Sequence, residues 1–109
     1  MSKRERTRPI PDLTAREKAG FRQAVTPTDD GHELWAVGGD TWWARWRTDS
    51  FAGAEFKTED GTWWRAARVG RVLAGYPDDP KFLRPACGVE RCVRADHQKF
   101  VPGAGVRVR

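Results

Sequence analysis

The sequence predicts a small α+β domain that combines an antiparallel sheet with an added N-terminal helix. Apolar residues recur at helical spacing in two short segments, one near the start of the chain and one in residues 65–74. Between these segments, short strand-like runs rich in tryptophan are separated by glycine-containing turns. With 109 residues, the chain has room for one domain of ordinary size.

The overall composition excludes two classes of protein. Hydrophobic residues make up 39% of the chain and charged residues 32%, which is too apolar for general disorder and too charged for a membrane protein. No apolar run approaches the roughly 20 residues that span a bilayer. The first six residues, Met-Ser-Lys-Arg-Glu-Arg, lead into no apolar stretch of the kind found in secretory signals. We therefore expect a cytoplasmic protein.

The positive charge is distributed unevenly along the chain. The net charge is +5, with seven Lys/Arg against three Asp/Glu in residues 1–25, three against eight in residues 26–64, and ten against four in residues 65–109. Two basic segments thus flank an acidic middle. Such ends suit a polyanion such as a nucleic acid, although the same charge could simply maintain solubility.

The first third of the chain divides into an arm and a helix. Residues 1–11 are basic and end in two closely spaced prolines, which predicts a flexible basic arm. Residues 12–31 are predicted to form a helix and a linker, with the helix running from about residue 12 to residue 25. Thr14 and Glu17 have the spacing of a capping box at its start.

Strand-like segments follow. Residues 32–37 lead into a Gly-Gly-Asp turn at 38–40, and residues 41–47 mix aromatic and basic side chains. Residues 55–58 and 62–65 flank Glu-Asp-Gly, a good hairpin turn.

After the hairpin, the spacing of the apolar residues becomes that of a helix. Apolar residues at positions 66, 69, 70 and 73 predict a helix over residues 65–74, and Gly75 is placed to end it.

The sharpest chemical feature is a Cys-x4-Cys-x4-His spacing formed by Cys87, Cys92 and His97. Two thiolates on a short loop can reach one zinc ion, and a histidine one turn further on can add a third ligand. The same spacing suits two small buried cysteines and a surface histidine. Spacing alone leaves both interpretations open.

Three segments together resemble a known family. The run Asp-Gly-Thr-Trp-Trp-Arg-Ala-Ala-Arg-Val at 60–69, the Gly-Tyr-Pro at 75–77 and the cysteine segment at 87–97 are similar to the HNH and His-Cys-box homing endonucleases. These proteins have a ββα-metal fold and are common in phages. The resemblance covers roughly residues 32–101 and implies that residues 32–109 form a small zinc-stabilised, HNH-like ββα-metal domain.

The resemblance also implies a complete zinc site. Cys87, Cys92 and His97 match the family's structural zinc ligands, and the family's early cysteine, three residues before a tryptophan, falls on His32. The implied ligands are therefore His32, Cys87, Cys92 and His97. A closed Cys2His2 set leaves no position for water or substrate, so such an ion is structural. For His32, an ordinary surface position beside a loop is the alternative.

The family's catalytic residues do not carry over. Its general base falls on Pro85, which accepts no proton, and the asparagine that holds the catalytic metal falls near Val106. Losing both groups is hard to reconcile with phosphodiester hydrolysis. We therefore expect a nuclease scaffold that has lost its chemistry, and no enzymatic activity.

A nuclease scaffold that has lost catalysis can still bind DNA. Arginines and a lysine near tryptophans suit phosphate contact and base stacking. The candidate nucleic-acid-binding residues are Arg45, Arg47, Lys57, Arg65, Arg68, Arg71, Arg91 and Arg94. The sequence thus predicts a non-catalytic, zinc-stabilised DNA-binding protein, such as a phage or mobile-element regulator, which would act in the host cytoplasm if phage-encoded.

A second hypothesis is a small protein-interaction module or an inhibitor of a host protein. Exposed tryptophans and the acidic middle of the chain would form its surface. Its acidic residues would be Asp29, Asp30, Glu33, Asp40, Asp49, Glu55, Glu59 and Asp60. A nuclease with a relocated active site is a third hypothesis, which the missing catalytic groups disfavour.

Overall fold

The computed structural model describes residues 8–36, 41–47, 53–79, 81 and 83–100, and the α+β class is confirmed for them. Their elements are α1 (Ala15–Gln23), β1 (Val25–Pro27), β2 (Glu33–Trp35), β3 (Ala44–Arg47), β4 (Gly53–Lys57), β5 (Trp63–Arg65), α2 (Ala66–Leu73), β6 (Leu83–Pro85), a 3₁₀ turn (Ala95–His97) and β7 (Gln98–Phe100). Neither helix in these ranges has the length and apolar character needed to cross a membrane.

Helix α1 begins with the predicted capping box. The Thr14 hydroxyl accepts a hydrogen bond from the Glu17 amide at 3.0 Å, and the Glu17 carboxylate accepts one from the Thr14 amide at 2.9 Å. The helix ends at Gln23, two residues earlier than expected, because the chain turns into strand β1. Val25 and Thr26 are β-branched and favour a strand, and proline is tolerated at the end of an edge strand. Part of the predicted linker is therefore a strand paired with β2.

Three antiparallel sheets hold the strands. The largest has the order β3-β4-β5, and β1–β2 and β6–β7 form two-stranded sheets. The predicted hairpin is confirmed, since β4 and β5 pair around the turn that contains Gly61, whose φ of 90° favours glycine. The predicted 38–40 turn, Val106 and the rest of residues 101–109 lie outside the described residues.

One face of the three-stranded sheet carries the core. Phe56 and Trp64 are paired neighbours on this face and are fully buried. Helix α1 adds Phe21, whose ring lies 5.0 Å from that of Trp35 and 5.4 Å from that of Phe56, and α2 adds buried Val69. Helix α1 is therefore part of the core rather than a separate recognition element.

Helix α2 ends where the sequence predicts. Gly75 has a φ of 98°, and its amide donates to the Val72 carbonyl at 3.0 Å. The Tyr76 amide donates to the Arg71 carbonyl at 2.9 Å, which completes a Schellman motif. A residue with a Cβ would be strained at this φ, so the glycine is what allows the chain to leave the helix here.

A buried ion pair ties α2 to the start of the chain. Arg68 is 2% exposed, and its guanidinium donates two hydrogen bonds to Asp78, at 2.7 and 3.0 Å, and a third to the Arg8 carbonyl. Asp78 also accepts from the Ile10 amide at 2.9 Å. Residues 8–10 of the predicted flexible arm are thus held against the domain, while residues 1–7 lie outside the described residues.

The Asp78 carboxyl is stabilised in its ionised form. Partial burial raises its pKa, but the hydrogen bonds from Arg68 and from the Ile10 amide outweigh this, and its pKa lies below the ordinary value of 3.8. A depressed folded-state pKa stabilises the fold above the unfolded-state value, and this contribution is lost as the pH falls through the folded-state pKa.

We expect Asp78→Asn to lower the free energy of unfolding at neutral pH by about 3 kcal/mol, because it removes the carboxylate that accepts two hydrogen bonds from the buried Arg68 guanidinium. Chemical denaturation of metal-loaded protein measures this. The matched control is Glu59→Gln, which removes the carboxylate facing the exposed Arg16 at 3.4 Å. We expect that exposed pair to contribute no more than about 1 kcal/mol. An equal, small effect of both substitutions would contradict the structural role of the Arg68–Asp78 pair.

Candidate metal centre

Four potential metal ligands converge at one end of the domain. One donor atom from each of His32, Cys87, Cys92 and His97 lies within 4.8 Å of the others. His32 directly precedes β2, Cys87 and Cys92 lie in the turn after β6, and His97 ends the 3₁₀ turn before β7. The set that the resemblance implies is therefore assembled by the fold, and it could hold a metal ion.

Backbone pairing brings His32 to the cysteines. Leu34 and Cys92 form an antiparallel bridge. The Val93 amide donates to the Glu33 carbonyl at 2.8 Å, and the Trp35 amide donates to the Arg91 carbonyl at 2.9 Å. Strand β2 thus lies against residues 91–93, and the residue before it reaches the cluster.

The cysteine turn is closed at its base. Strands β6 and β7 pair from Leu83↔Phe100 to Pro85↔Gln98, and the Ala86 amide donates to the His97 carbonyl at 2.6 Å. The Gln98 side-chain amide donates to the Cys92 carbonyl at 2.9 Å. These bonds hold the two thiols and His97 on the same loop.

The donor spacing matches a tetrahedral site. The Cys92 sulfur lies 3.5 Å from Nδ1 of His97, and the His32 and His97 rings meet edge-on with centroids 5.2 Å apart. Zinc ligands at about 2.0–2.3 Å in a tetrahedron lie about 3.3–3.8 Å from one another. The Cys92–His97 distance already lies in this range, and all four donors lie within 4.8 Å of one another, so the cluster could hold one metal ion.

An unsatisfied buried nitrogen supports a ligand role for His32. Its Nδ1 is buried and has no hydrogen-bond partner among the described residues. A buried polar atom without a partner is costly, and a bound cation would remove that cost. Its Nε2 lies 3.7 Å from the Asp30 carboxylate, which is the kind of partner that orients metal-bound histidines.

Both thiols are free, and burial changes the pKa of one of them. Both cysteines are unpaired by disulfide, and Cys92 is buried. Burial raises the pKa of the Cys92 thiol, and the neighbouring Cys87 thiol raises it further. A bound dication acts in the opposite direction and favours the thiolate. Two thiolates with two neutral imidazoles form the donor set typical of closed structural zinc sites.

Four of the eight predicted DNA-contact residues share one face of the sheet. Arg45, Glu55 and Arg65 are paired neighbours across β3, β4 and β5, and Lys57 pairs with Trp63. Their side chains point away from the core because neighbouring strand residues alternate between faces. We define the outer face by these residues and Arg47, which lies two positions after Arg45 on β3.

Contacts on the outer face restrict the side chains of its cations. Arg45 donates to the Glu55 carboxylate at 2.7 Å, and its guanidinium carbon lies 3.9 Å from the centroid of the Trp63 ring. The Lys57 ammonium is 5.6 Å from the same ring. Glu55 is only 7% exposed, so the surface presented to solvent by this face is mainly basic and aromatic.

The other four candidates lie away from the outer face, and Arg68 is buried. Arg68 is buried in its ion pair, out of reach of a phosphate. Arg91 donates to the Trp35 carbonyl at 2.7 Å, and Arg94 donates to the Gly31 carbonyl at 2.7 Å. The Arg71 guanidinium stacks on Tyr76 at 4.3 Å. The three-residue spacing of arginines on α2 suggested one stripe, but burial against the core separates its members.

Sequence reasoning missed two contributors to the sites. The spacing of the metal ligands does not predict that Asp30 lies beside His32, because this contact depends on the loop between β1 and β2. Trp42 is 61% exposed and lies beside Lys57, whereas the sequence could not say which tryptophan of each pair faces outward. Alternation along a strand would have been the available signal, but Trp42 lies in a turn.

Comparison of the chain with protein-family models, curated proteins and solved structures gives no match.

We expect purified protein to contain one zinc ion per chain by elemental analysis. Cobalt(II) substitution should give tetrahedral d–d bands together with thiolate-to-metal charge-transfer absorption, because two sulfurs would bind the ion.

Cys92→Ser should lose most of the metal and strongly destabilise the domain, since metal binding contributes directly to folding. Thermal unfolding and elemental analysis of the variant measure both effects. The control, Glu90→Gln, changes an exposed residue of the same turn and should retain both metal and stability. A disulfide between Cys87 and Cys92 in freshly purified protein would refute the metal site.

Proposed function

We propose that the protein is a non-catalytic, zinc-stabilised DNA-binding domain that holds the phosphate backbone on its outer face. The observation that carries this proposal is the grouping of Arg45, Arg47, Lys57 and Arg65 with Trp63 on one side of a sheet whose other side is the core. Such a surface is rigid, because the buried aromatic side chains hold the strands beneath it.

The chemistry of the outer face suits phosphate groups. Arginine presents planar, bidentate donors to phosphate oxygens, and stacking on an aromatic ring restricts the guanidinium before binding. Arg45 has this arrangement on Trp63. The single carboxylate in the centre of the face, Glu55, is largely covered and is bonded to Arg45, so it offers little repulsion to an anion.

Zinc in this proposal is structural. The four protein donors would fill a tetrahedron, and the ion would join β2 to the turn that carries the cysteines. It would hold the domain together and would present no open position to a substrate.

The absence of catalysis is proposed from the titratable groups. The chain has two histidines, and both belong to the metal cluster, which leaves no imidazole to activate water. Paired strands β6 and β7 flank the cysteine turn, in keeping with a degenerate HNH-like scaffold, and Pro85 ends β6 at the position of the family's general base. A proline there supports loss of the nuclease reaction.

A protein-interaction module is the second candidate, and the exposed Trp42 favours it. Its acidic surface is less favourable. Glu55 is bonded to Arg45, and Glu59 faces Arg16 at 3.4 Å, so these two carboxylates of the acidic middle are compensated locally.

We expect the affinity for a blunt DNA duplex to fall about 10²-fold when salt rises from about 50 to 200 mM, because four phosphate contacts release about four counterions. The double variant Arg47→Gln/Lys57→Gln should reduce the slope of log K against log salt by about two. Fluorescence anisotropy of a labelled duplex measures both.

The matched control removes two charges from the opposite side of the domain. Lys18→Gln/Arg22→Gln changes exposed residues of α1, which packs on the core face, and should leave the slope unchanged. Salt-insensitive binding, or equal slopes in the two double variants, would contradict the proposed interface. Binding of a protein partner without any DNA affinity would favour the interaction module.

A further inference from the structure

A groove of about 420 Å³ lies between helix α1 and the β3–β4 part of the sheet. Its helix side is lined by Arg16, Gly20 and Gln23, and its sheet side by Trp42 and Lys57. This volume lies within the range of small-ligand sites, about 300–1,000 Å³.

The aromatic wall of the groove has one fixed ring and one exposed ring. The Trp43 indole donates to the Gly20 carbonyl at 2.8 Å, and a Cβ at Gly20 would lie only 3.0 Å from the same indole nitrogen. Trp42 meets Trp43 edge-on, with centroids 5.4 Å apart and planes at 84°. The fixed ring thus supports Trp42, which is 61% exposed and offers a flat surface for stacking.

The groove is lined by two cations and two carboxylates, Arg16, Lys57, Glu17 and Glu59. The Glu17 carboxylate accepts hydrogen bonds from the Thr14 and Glu59 amides, at 2.9 and 2.8 Å. The Glu59 carboxylate faces Arg16. Among the described residues Lys57 has no carboxylate partner, and its ammonium lies 5.9 Å from the Trp42 ring. The groove therefore combines a stacking surface with a lysine that forms no direct ion pair among the described residues.

We propose that this groove binds an unpaired nucleotide of DNA whose adjoining duplex lies on the outer face. The base would stack on Trp42, its edge would meet the Gln23 amide, and its phosphate would meet Lys57. This inference rests on the proposed function, which it extends by naming the form of DNA preferred.

Continuity between the two surfaces favours a nucleotide over a peptide. Lys57 belongs both to the groove and to the outer face, where it pairs with Trp63 on the neighbouring strand. A DNA strand that is bound by the outer-face cations would therefore pass into the groove along Lys57. A peptide would gain the aromatic contact, but only a peptide that carries a carboxylate at this point would also use the cation.

The test compares two labelled probes by fluorescence anisotropy at one salt concentration: a blunt duplex and the same duplex with a short single-stranded overhang. We expect the protein to prefer the overhang probe by about 5- to 150-fold, the range expected for stacking one base on an aromatic side chain. Trp42→Ala should abolish this preference, and Trp42→Phe, which keeps a ring, should restore most of it.

Tyr76→Ala is the control, because Tyr76 is the other exposed large aromatic side chain among the described residues and does not line the groove. It should keep the preference. Salt-dependent binding with equal affinity for the two probes would overturn the nucleotide site and leave the proposed function standing. Loss of affinity for both probes to the same extent in Trp42→Ala would also overturn it. Absence of binding to either probe would refute both proposals, whereas binding of a peptide at Trp42 in place of the overhang would refute the nucleotide site alone.

Discussion

Convergence of His32, Cys87, Cys92 and His97 is the constraint around which the cysteine turn is arranged, and the cluster could hold a metal ion. Strands β6 and β7 bury no side chain completely, and the cysteine turn contributes only Cys92 and Val93 to the buried set. That part of the chain has little hydrophobic core of its own. Small domains commonly compensate for a limited core with a metal or a disulfide, and here the thiols are free while their neighbours are imidazoles.

The three-stranded sheet has one face that carries the core and an opposite face that displays cations. Phe56 and Trp64 on one face pack with α1 and α2, which buries the apolar surface of both helices. The same strands present Arg45, Lys57 and other cations on the opposite face. Because side chains alternate along a strand, the packing that holds the core also determines which cations are displayed together. The groove beside Trp42 arises where α1 crosses the edge of this arrangement.

The arginines have different structural roles that depend on how deeply each is buried. Arg68 is buried and links α2 to Asp78 and to the Arg8 carbonyl, whereas Arg45 stacks on Trp63 at the surface. Arg91 and Arg94 donate to backbone carbonyls and brace the loops around the metal cluster. A count of positive charges therefore overstates the surface available to an anion, and burial decides which guanidinium groups take part.

Local signals in the sequence determined the capping box at Thr14, the hairpin around Gly61 and the end of α2 at Gly75, because each depends on a few adjacent residues. The spacing of Cys87, Cys92 and His97 suggested a metal site but suited buried cysteines and a surface histidine equally well. The family resemblance already implied His32 as the fourth ligand, and the tertiary structure brings it to the cluster. Only the tertiary structure decided that residues 25–27 pair as a strand and that Arg65, Arg68 and Arg71 are separated from one another. Those outcomes depend on strand pairing and burial between distant segments, and no local pattern encodes either.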